Sequence, residues 1–311
     1  MKRGFYMNYP LYSLLILPYT RLELPGWAKV MNIMGVYRDD LWKNAPIREM
    51  RGKLHGYRMA MDLSKWNDRM SYFLGRYYDL PTQLLIQNSV QPGDSFIDAG
   101  ANTGMITLLA AYHTGTAGCV HAFEPNPLAF QQLQAAVTDN ELQQVFLHQC
   151  GLSDEETELT LTVPTDVTGL GTFAELPAKD FSLISNQYRV PVYRGDEMLP
   201  DNLPGATFIK IDVEGFEVNV IKGFSKTLQK FRPGVLTEVV GSHLERAGSS
   251  VAELFSVMGG FGYEGFNLEV QRHGFGDRLK LSKAQVGNTT DDVVWLHSES
   301  PLCDRLRQWM V

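Results

Sequence analysis

Three short runs of this sequence bring together residue types that can do chemistry. The first is Asp98-Ala-Gly-Ala-Asn-Thr-Gly104, which follows an apolar stretch. Gly100 permits a tight turn with the backbone held against a ligand, and Gly104 lets the next helix start close to the strand. Free amides at that helix N-terminus would face a carboxylate or phosphate, and Asp98 would accept from a ligand amine. The same run also suits a purely structural strand–helix turn. It lacks the G-x-G-x-x-G of dinucleotide binding, which counts against a nicotinamide cofactor.

The second run is His121-Ala-Phe-Glu124, followed by Pro125-Asn126-Pro127. Glu124 stands twenty residues past Gly104, the length of one helix and one strand, where a carboxylate can accept from both hydroxyls of a ribose. A helix N-terminal charge ahead of Pro127 is the plainer role. The third run is Phe208-Ile-Lys-Ile-Asp-Val-Glu-Gly-Phe-Glu217. Lys210, Asp212 and Glu214 alternate, so a regular strand would point them the same way. Three charges on a buried strand are costly unless paired or placed at a rim. Asp212 and Glu214, at the carboxyl end, are the candidates for the reacting centre, and a Lys210–Asp212 pair that only secures the strand is the alternative. His243 is the best general-base candidate by its ordinary pKa, although a loop histidine without a role fits as well. The other six histidines are scattered and receive no assignment.

The elements that must position these residues follow from the pattern. Short apolar strands at Ser95–Asp98, Cys119–Phe123, Val145–Cys150, Thr207–Val213 and Val235–Val240 alternate with helical stretches at Met105–Tyr112, Pro127–Val137, Glu217–Leu228 and Ser250–Met258. Such alternation means an α/β fold with a mostly parallel sheet covered on both faces. Ligands then bind beyond the carboxyl ends of the strands. Late strands near Gly265–Val270 and Val293–Leu296, joined by a loop, predict an antiparallel addition. Earlier, Gly56–Leu63 reads as a strand and Tyr72–Ser89 as one helix, while Thr157–Val163 alternates as an exposed strand should.

Composition sets the outer bounds. The 311 residues are 44% hydrophobic and 20% charged, with a net charge of −7. An acidic chain without a basic run is ill suited to nucleic acid and offers no polybasic patch to an anionic membrane. Cys119, Cys150 and Cys303 have no metal-site or disulfide spacing, which fits reduced thiols in a cytoplasmic protein. Pro10 and Pro18 bracket only seven residues of a mostly apolar stretch, too few to span a bilayer, so this piece reads as a packing segment, with rest on a membrane or partner as the lesser alternative. The expected organisation is an aromatic- and Pro-rich accessory segment over 1–55, a catalytic domain over 56–300 and a tail over 301–311.

The three runs, with Gly151-Leu-Ser-Asp154 between the second and third, resemble the FkbM family of S-adenosylmethionine-dependent methyltransferases from about Gly56 to Tyr263. The I-K-I-D-V-E-G block is the most specific part. The resemblance implies a class I Rossmann-like methyltransferase fold. It implies that Asp98, Gly100, Asn102 and Gly104 line the methionine end of S-adenosylmethionine and that Glu124 takes the ribose. Leu152 and Ser153 would flank the adenine, and Asp212 would stand where donor meets acceptor. The family's second strand-end acid is Glu238, and its usual following histidine is displaced here to His243. A divalent metal between Asp212 and Glu238 is allowed by residue type but not expected. The implied reaction is O-methylation of a sugar hydroxyl in a glycan or of a secondary metabolite, with N-methylation of a peptide side chain as the alternative. A nicotinamide-dependent oxidoreductase or a non-catalytic cofactor-binding module are the rivals of another kind. The stretch before Gly56 and the loop Thr165–Arg194 are the expected acceptor walls, with Gly169–Phe173 as a mobile cover. Neither the oligomeric state nor the acceptor is set by the sequence.

Overall fold

Pro10, Pro18 and a left-handed Gly26 cut the N-terminal apolar stretch into short pieces. In the computed structural model, which describes residues 9–164, 171–174, 184–273 and 276–311, a 3-10 turn at Leu11–Ile16 leads into α1 (Leu17–Arg21), α2 (Trp27–Ile33) and α3 (Asp39–Trp42). Strands β1 (Ile47–Arg51) and β2 (Arg58–Asp62) pair antiparallel, and α4 (Trp66–Leu74) packs on β2 and α1. These contacts carry the first compact unit to Asp79, and the second runs from Leu80 to Val311. The division therefore falls later than the 55/56 boundary read from composition. The single helix expected over Tyr72–Ser89 is two helices. Gly75 caps α4 in the left-handed region at φ 69°, and α5 (Leu80–Ser89) starts afresh.

In the second unit the chain continues with β3 (Ser95–Ala99), α6 (Met105–Thr114), β4 (Cys119–Phe123), α7 (Pro127–Asp139) and β5 (Val145–His148). Then come β6 (Gly151–Ser153), β7 (Thr157–Pro164), β8 (Ile184–Arg194), α8 (Gly195–Met198), β9 (Thr207–Ile211), α9 (Glu217–Gly223) and α10 (Ser225–Phe231). The last elements are β10 (Gly234–Glu238), α11 (Gly241–Arg246), α12 (Val251–Gly260), β11 (Tyr263–His273), β12 (Gly276–Lys283), β13 (Asp292–His297) and α13 (Pro301–Leu306). The main sheet has the order β12-β11-β13-β10-β9-β3-β4-β5. The five strands from β10 to β5 are parallel, and β13, β11 and β12 are antiparallel additions. This is the class I, Rossmann-like arrangement that the resemblance implies.

The structure departs from the sequence pattern at three places. The two late strands are not joined by a loop, because β12 lies between them in the chain and pairs on the outer edge of β11. The run Val145–Cys150 is not one strand. It ends at His148, and β6 joins a second sheet, β6-β8-β7, where Gly151 admits Val192 and Phe173 so closely that a Cβ would stand 2.8 Å from each. The expected Thr165–Arg194 loop holds β8 from Ile184 onward; residues 165–170 and 175–183 lie outside the described residues.

Phe96, Ile97, Phe123, Phe208, Ile209 and Val235 are 0–1% exposed, so the central strands are buried on both faces as their continuous apolar runs require. The chain end is no loose tail. Arg305 of α13 donates to Ser89 O at 2.7 Å and pairs with Asp94, whose carboxylate also accepts from Gln91 N and Ala206 N. Among the described residues, no helix is long and apolar enough to cross a membrane.

Candidate active site

The order β4-β3-β9-β10 puts four carboxyl ends side by side; three carry the charged runs and the fourth carries Glu238. At the end of β3, Asp98 is fully buried. Its Oδ2 accepts from Thr107 Oγ1 at 2.6 Å, and its Oδ1 lies 3.4 Å from Lys210 Nζ. Lys210, on β9, also donates to Gly100 O at 2.7 Å and reaches Asp212 Oδ2 at 3.4 Å. Burial alone would lower its pKa, but Asp212 and Asp98 override that and hold the ammonium charged. The Lys210–Asp212 ion pair weighed as the alternative is thus present and extends to Asp98.

Gly100 does permit the turn, at φ 79°, but what crowds it is protein. A Cβ there would stand 2.0 Å from the carbonyl oxygen of Asp212. At Gly104, φ 93°, a Cβ would meet Leu133 Cδ1 of α7 at 2.7 Å. That glycine therefore serves helix–helix approach rather than the helix–strand approach expected. Between them Asn102, also left-handed at φ 49°, donates its amide to Glu124 Oε2 at 2.7 Å. Glu124 Oε1 accepts from Asn126 N at 2.8 Å, while the Asn126 side chain caps α7. Glu124 is therefore already anchored to two backbone amides. Burial pushes its carboxyl up to about 7 against the pull of those amides.

The strand β9 does not stay regular through the third run. It ends at Ile211, and Glu214 and Gly215 turn left-handed at φ 54° and 107°. Glu217 makes this turn, since its Oε1 accepts from Val213 N at 3.2 Å and Gly215 N at 3.1 Å. A Cβ on Gly215 would lie 2.3 Å from His243 O, so only glycine allows the turn to press against α11. Glu214 thereby leaves the direction of Lys210 and Asp212, contrary to the alternation expected. It meets His243, which sits on α11 rather than in a loop.

His243 Nδ1 lies 3.1 Å from Glu214 Oε2 and 3.1 Å from Glu238 Oε2 at the end of β10. Burial, then Asp212 and Glu217, push Glu214 up to about 8. Burial, then Asp212 and Glu214, push Glu238 to about 9. Burial and Arg246 hold His243 below its ordinary value. Two carboxylates and an imidazole with ligand atoms within 4.8 Å of one another also have the composition of a divalent-cation site. The metal pair considered from sequence, Asp212 with Glu238, is replaced in this grouping by Glu214, Glu238 and His243.

Leu152 and Ser153 are buried as well, each 3% exposed, with Leu152 part of the apolar core. The expected mobile cover is in part fixed. Thr172 bridges Thr162 by two backbone hydrogen bonds and donates its hydroxyl to Glu214 O at 3.1 Å, and Phe173 packs edge-on against Phe216. Gly169 and Leu170 lie outside the described residues. Thr107, Thr172 and Glu217 escaped the sequence reading. Of these only Glu217 left a signal, as the second acid of E-G-F-E.

Comparison with known proteins points to one family. The methyltransferase FkbM domain model matches residues 98–265, a little over half of the chain. Methyltransferase 1 of Beauveria bassiana is 31% identical over 169 residues, covering 49% of this chain and 67% of that protein. The hexuronic acid methyltransferase AglP of Haloferax volcanii is 27% identical over 208 residues, 67% of this chain and 69% of the relative. The 31-O-demethyl-FK506 methyltransferase FkbM of Streptomyces tacrolimicus is 41% identical over 86 residues. That match covers 27% of this chain, which spans about a third of the relative's length.

Proposed function

This chain belongs to the FkbM methyltransferase family, and we propose that it transfers a methyl group from S-adenosylmethionine to a hydroxyl of a sugar or secondary metabolite. The observation that carries this reading is the convergence of Asp98, Glu124, Asp212 and the Glu214–His243–Glu238 cluster at neighbouring carboxyl ends of parallel strands. The residues suit the cofactor. Asn102 Oδ1 is buried without a hydrogen-bond partner among the described residues. Each Glu124 oxygen has one amide donor and room for a second, since a carboxylate oxygen takes two.

S-adenosylmethionine, when bound, supplies a methyl group already activated by its sulfonium, so the protein's work is alignment and proton removal. Asp98, Asn102 and the backbone around Gly100 and Gly104 would hold the amino-acid end and Glu124 the ribose. The segment of Leu152 and Ser153 would flank the adenine. Asp212, with its side chain 42% exposed, is the acid free to orient the acceptor. His243 takes the hydroxyl proton on Nε2, because Glu214 and Glu238 both stand ready to accept from Nδ1–H. Such an orientation fixes the tautomer.

Support for oxygen and sugar comes from what two relatives are named for, a hexuronic acid and a 31-O-demethyl compound. The direct test incubates the chain with S-adenosylmethionine and a panel of glycosides and peptide amides, followed by mass spectrometry. Asp212→Asn should lower turnover about 10²-fold or more while S-adenosylhomocysteine affinity stays near that of the wild type. Methylation confined to an amide or amine would replace the acceptor class. Binding of NAD in place of S-adenosylhomocysteine would overturn the reading altogether.

A further inference from the structure

The first unit has a buried core that includes Met31, Trp42, Met61, Leu63 and Phe73, yet its first helical pieces also turn large apolar side chains to solvent. On its first three helical pieces the small polar residues Ser13 and Thr20 are fully buried, whereas Leu15, Leu22 and Ile33 are 80%, 72% and 71% exposed. Hydrogen bonds hold that arrangement. Ser13 Oγ donates to Met34 O at 2.6 Å, Thr20 Oγ1 to Phe73 O at 2.6 Å, and Arg21 to Tyr72 O at 3.2 Å. A helix facing water on its outer side has the opposite pattern. Of the thirteen exposed large apolar side chains among the described residues, eight belong to this unit, which is a quarter of the chain.

Charge is segregated in the same way. Residues 1–79 carry thirteen Lys and Arg against seven Asp and Glu, a net +6, whereas residues 80–311 carry fifteen against twenty-eight, a net −13. The acidic whole-chain balance conceals this, because the basic residues form no run. Lys29 is exposed and lies one helical turn from Ile33 on α2, and Lys43 is exposed just beyond α3. Short helices with bare leucines, an exposed Tyr12 and flanking lysines have the make-up of segments that lie in the headgroup region of a bilayer.

We infer that the first unit docks on an anionic lipid surface, with Leu15, Leu22 and Ile33 entering the interface and Lys29 and Lys43 meeting the headgroups. A lipid surface fits better than a like-for-like pairing of two copies through this face, which would bring two +6 units together. The inference does not depend on the reaction proposed above.

Co-sedimentation of the full chain with vesicles tests it. The wild-type protein should pellet with equimolar phosphatidylglycerol and phosphatidylcholine, weakly with phosphatidylcholine alone, and less as salt rises. Leu15→Glu with Leu22→Glu should weaken partition by more than about tenfold, and Lys29→Glu with Lys43→Glu should remove the preference for phosphatidylglycerol. Circular dichroism and melting temperature should stay those of the wild type, since these side chains point to solvent. The inference is overturned if the wild-type chain stays in the supernatant, or if the leucine variant pellets equally. It is also overturned if sedimentation velocity shows a dimer that the leucine variant dissolves, which would assign the face to a second copy.

Discussion

At the scale of single residues, Glu124 and His243 carry different kinds of claim. Glu124 has two duties, because its oxygens hold Asn102 N and Asn126 N before any ribose arrives. Glu124→Gln keeps the shape but turns an NH2 toward one of those amides. S-adenosylhomocysteine binding should weaken by about 1.5–3 kcal/mol in calorimetry, and the unliganded protein should also melt at a lower temperature. Unchanged affinity would move the ribose elsewhere. For His243 the rival to a proton acceptor is a cation ligand. His243→Gln should lower turnover by about 10²-fold or more, and EDTA should leave the wild-type rate alone. A rate lost in EDTA and restored by magnesium would reassign Glu214, Glu238 and His243 to a metal.

At the scale of elements, what was legible in the sequence was what depends on neighbours along the chain. Runs such as Cys119–Phe123 are apolar without interruption because they are buried on both faces, so the parallel strands and the acids at their ends could be read directly. Glu214 leaves the direction that a regular strand would give it because its backbone follows a left-handed turn made by Glu217, four residues beyond Val213. Likewise β12 is mixed and polar, with only Leu279 and Leu281 fully buried, and its pairing with β11 is a tertiary fact. The glycine turn shows how the element scale alters a prediction. As a turn held against a ligand, Gly100 implies that a larger residue blocks the cofactor in a folded protein. Because a Cβ meets the Asp212 carbonyl at 2.0 Å and φ is 79°, even Gly100→Ala must separate β3 from β9 at the site. Urea unfolding should show a loss of about 1–3 kcal/mol, together with weaker cofactor binding. A fully stable Gly100→Ala protein would mean that the two strand ends are not so closely joined.

At the scale of the whole molecule, the carboxyls that burial raises contrast with one that ion pairs lower. In the second unit the buried carboxyls Glu124, Glu214, Glu217 and Glu238 are all raised, to about 7, 8, 7 and 9. In the first, burial likewise raises Asp68, to about 6, whereas Glu23 is lowered to about 2. Burial pushes Glu23 up, but hydrogen bonds and charge from Arg76 and Lys53 outweigh it. Arg76, buried, grips both carboxylate oxygens at 2.9 and 2.7 Å. This bidentate pair ties the end of α1 to the end of α4. A carboxyl with a depressed folded pKa stabilises above its unfolded value and ceases to do so as pH falls through the folded one. The contribution of Glu23 should therefore be complete above about 4.5 and vanish as pH drops toward about 2. Its partial exposure and solvent screening bring it to about 1–3 kcal/mol. Glu23→Gln should reproduce that loss at neutral pH. Hydrogen exchange read by mass spectrometry would localise it, with faster exchange in peptides covering 17–33 and 66–79. Peptides from β3, β4 and β9 should not change. If the variant exchanges like the wild type, the pair is a solvated contact and the first unit is held by its buried side chains alone.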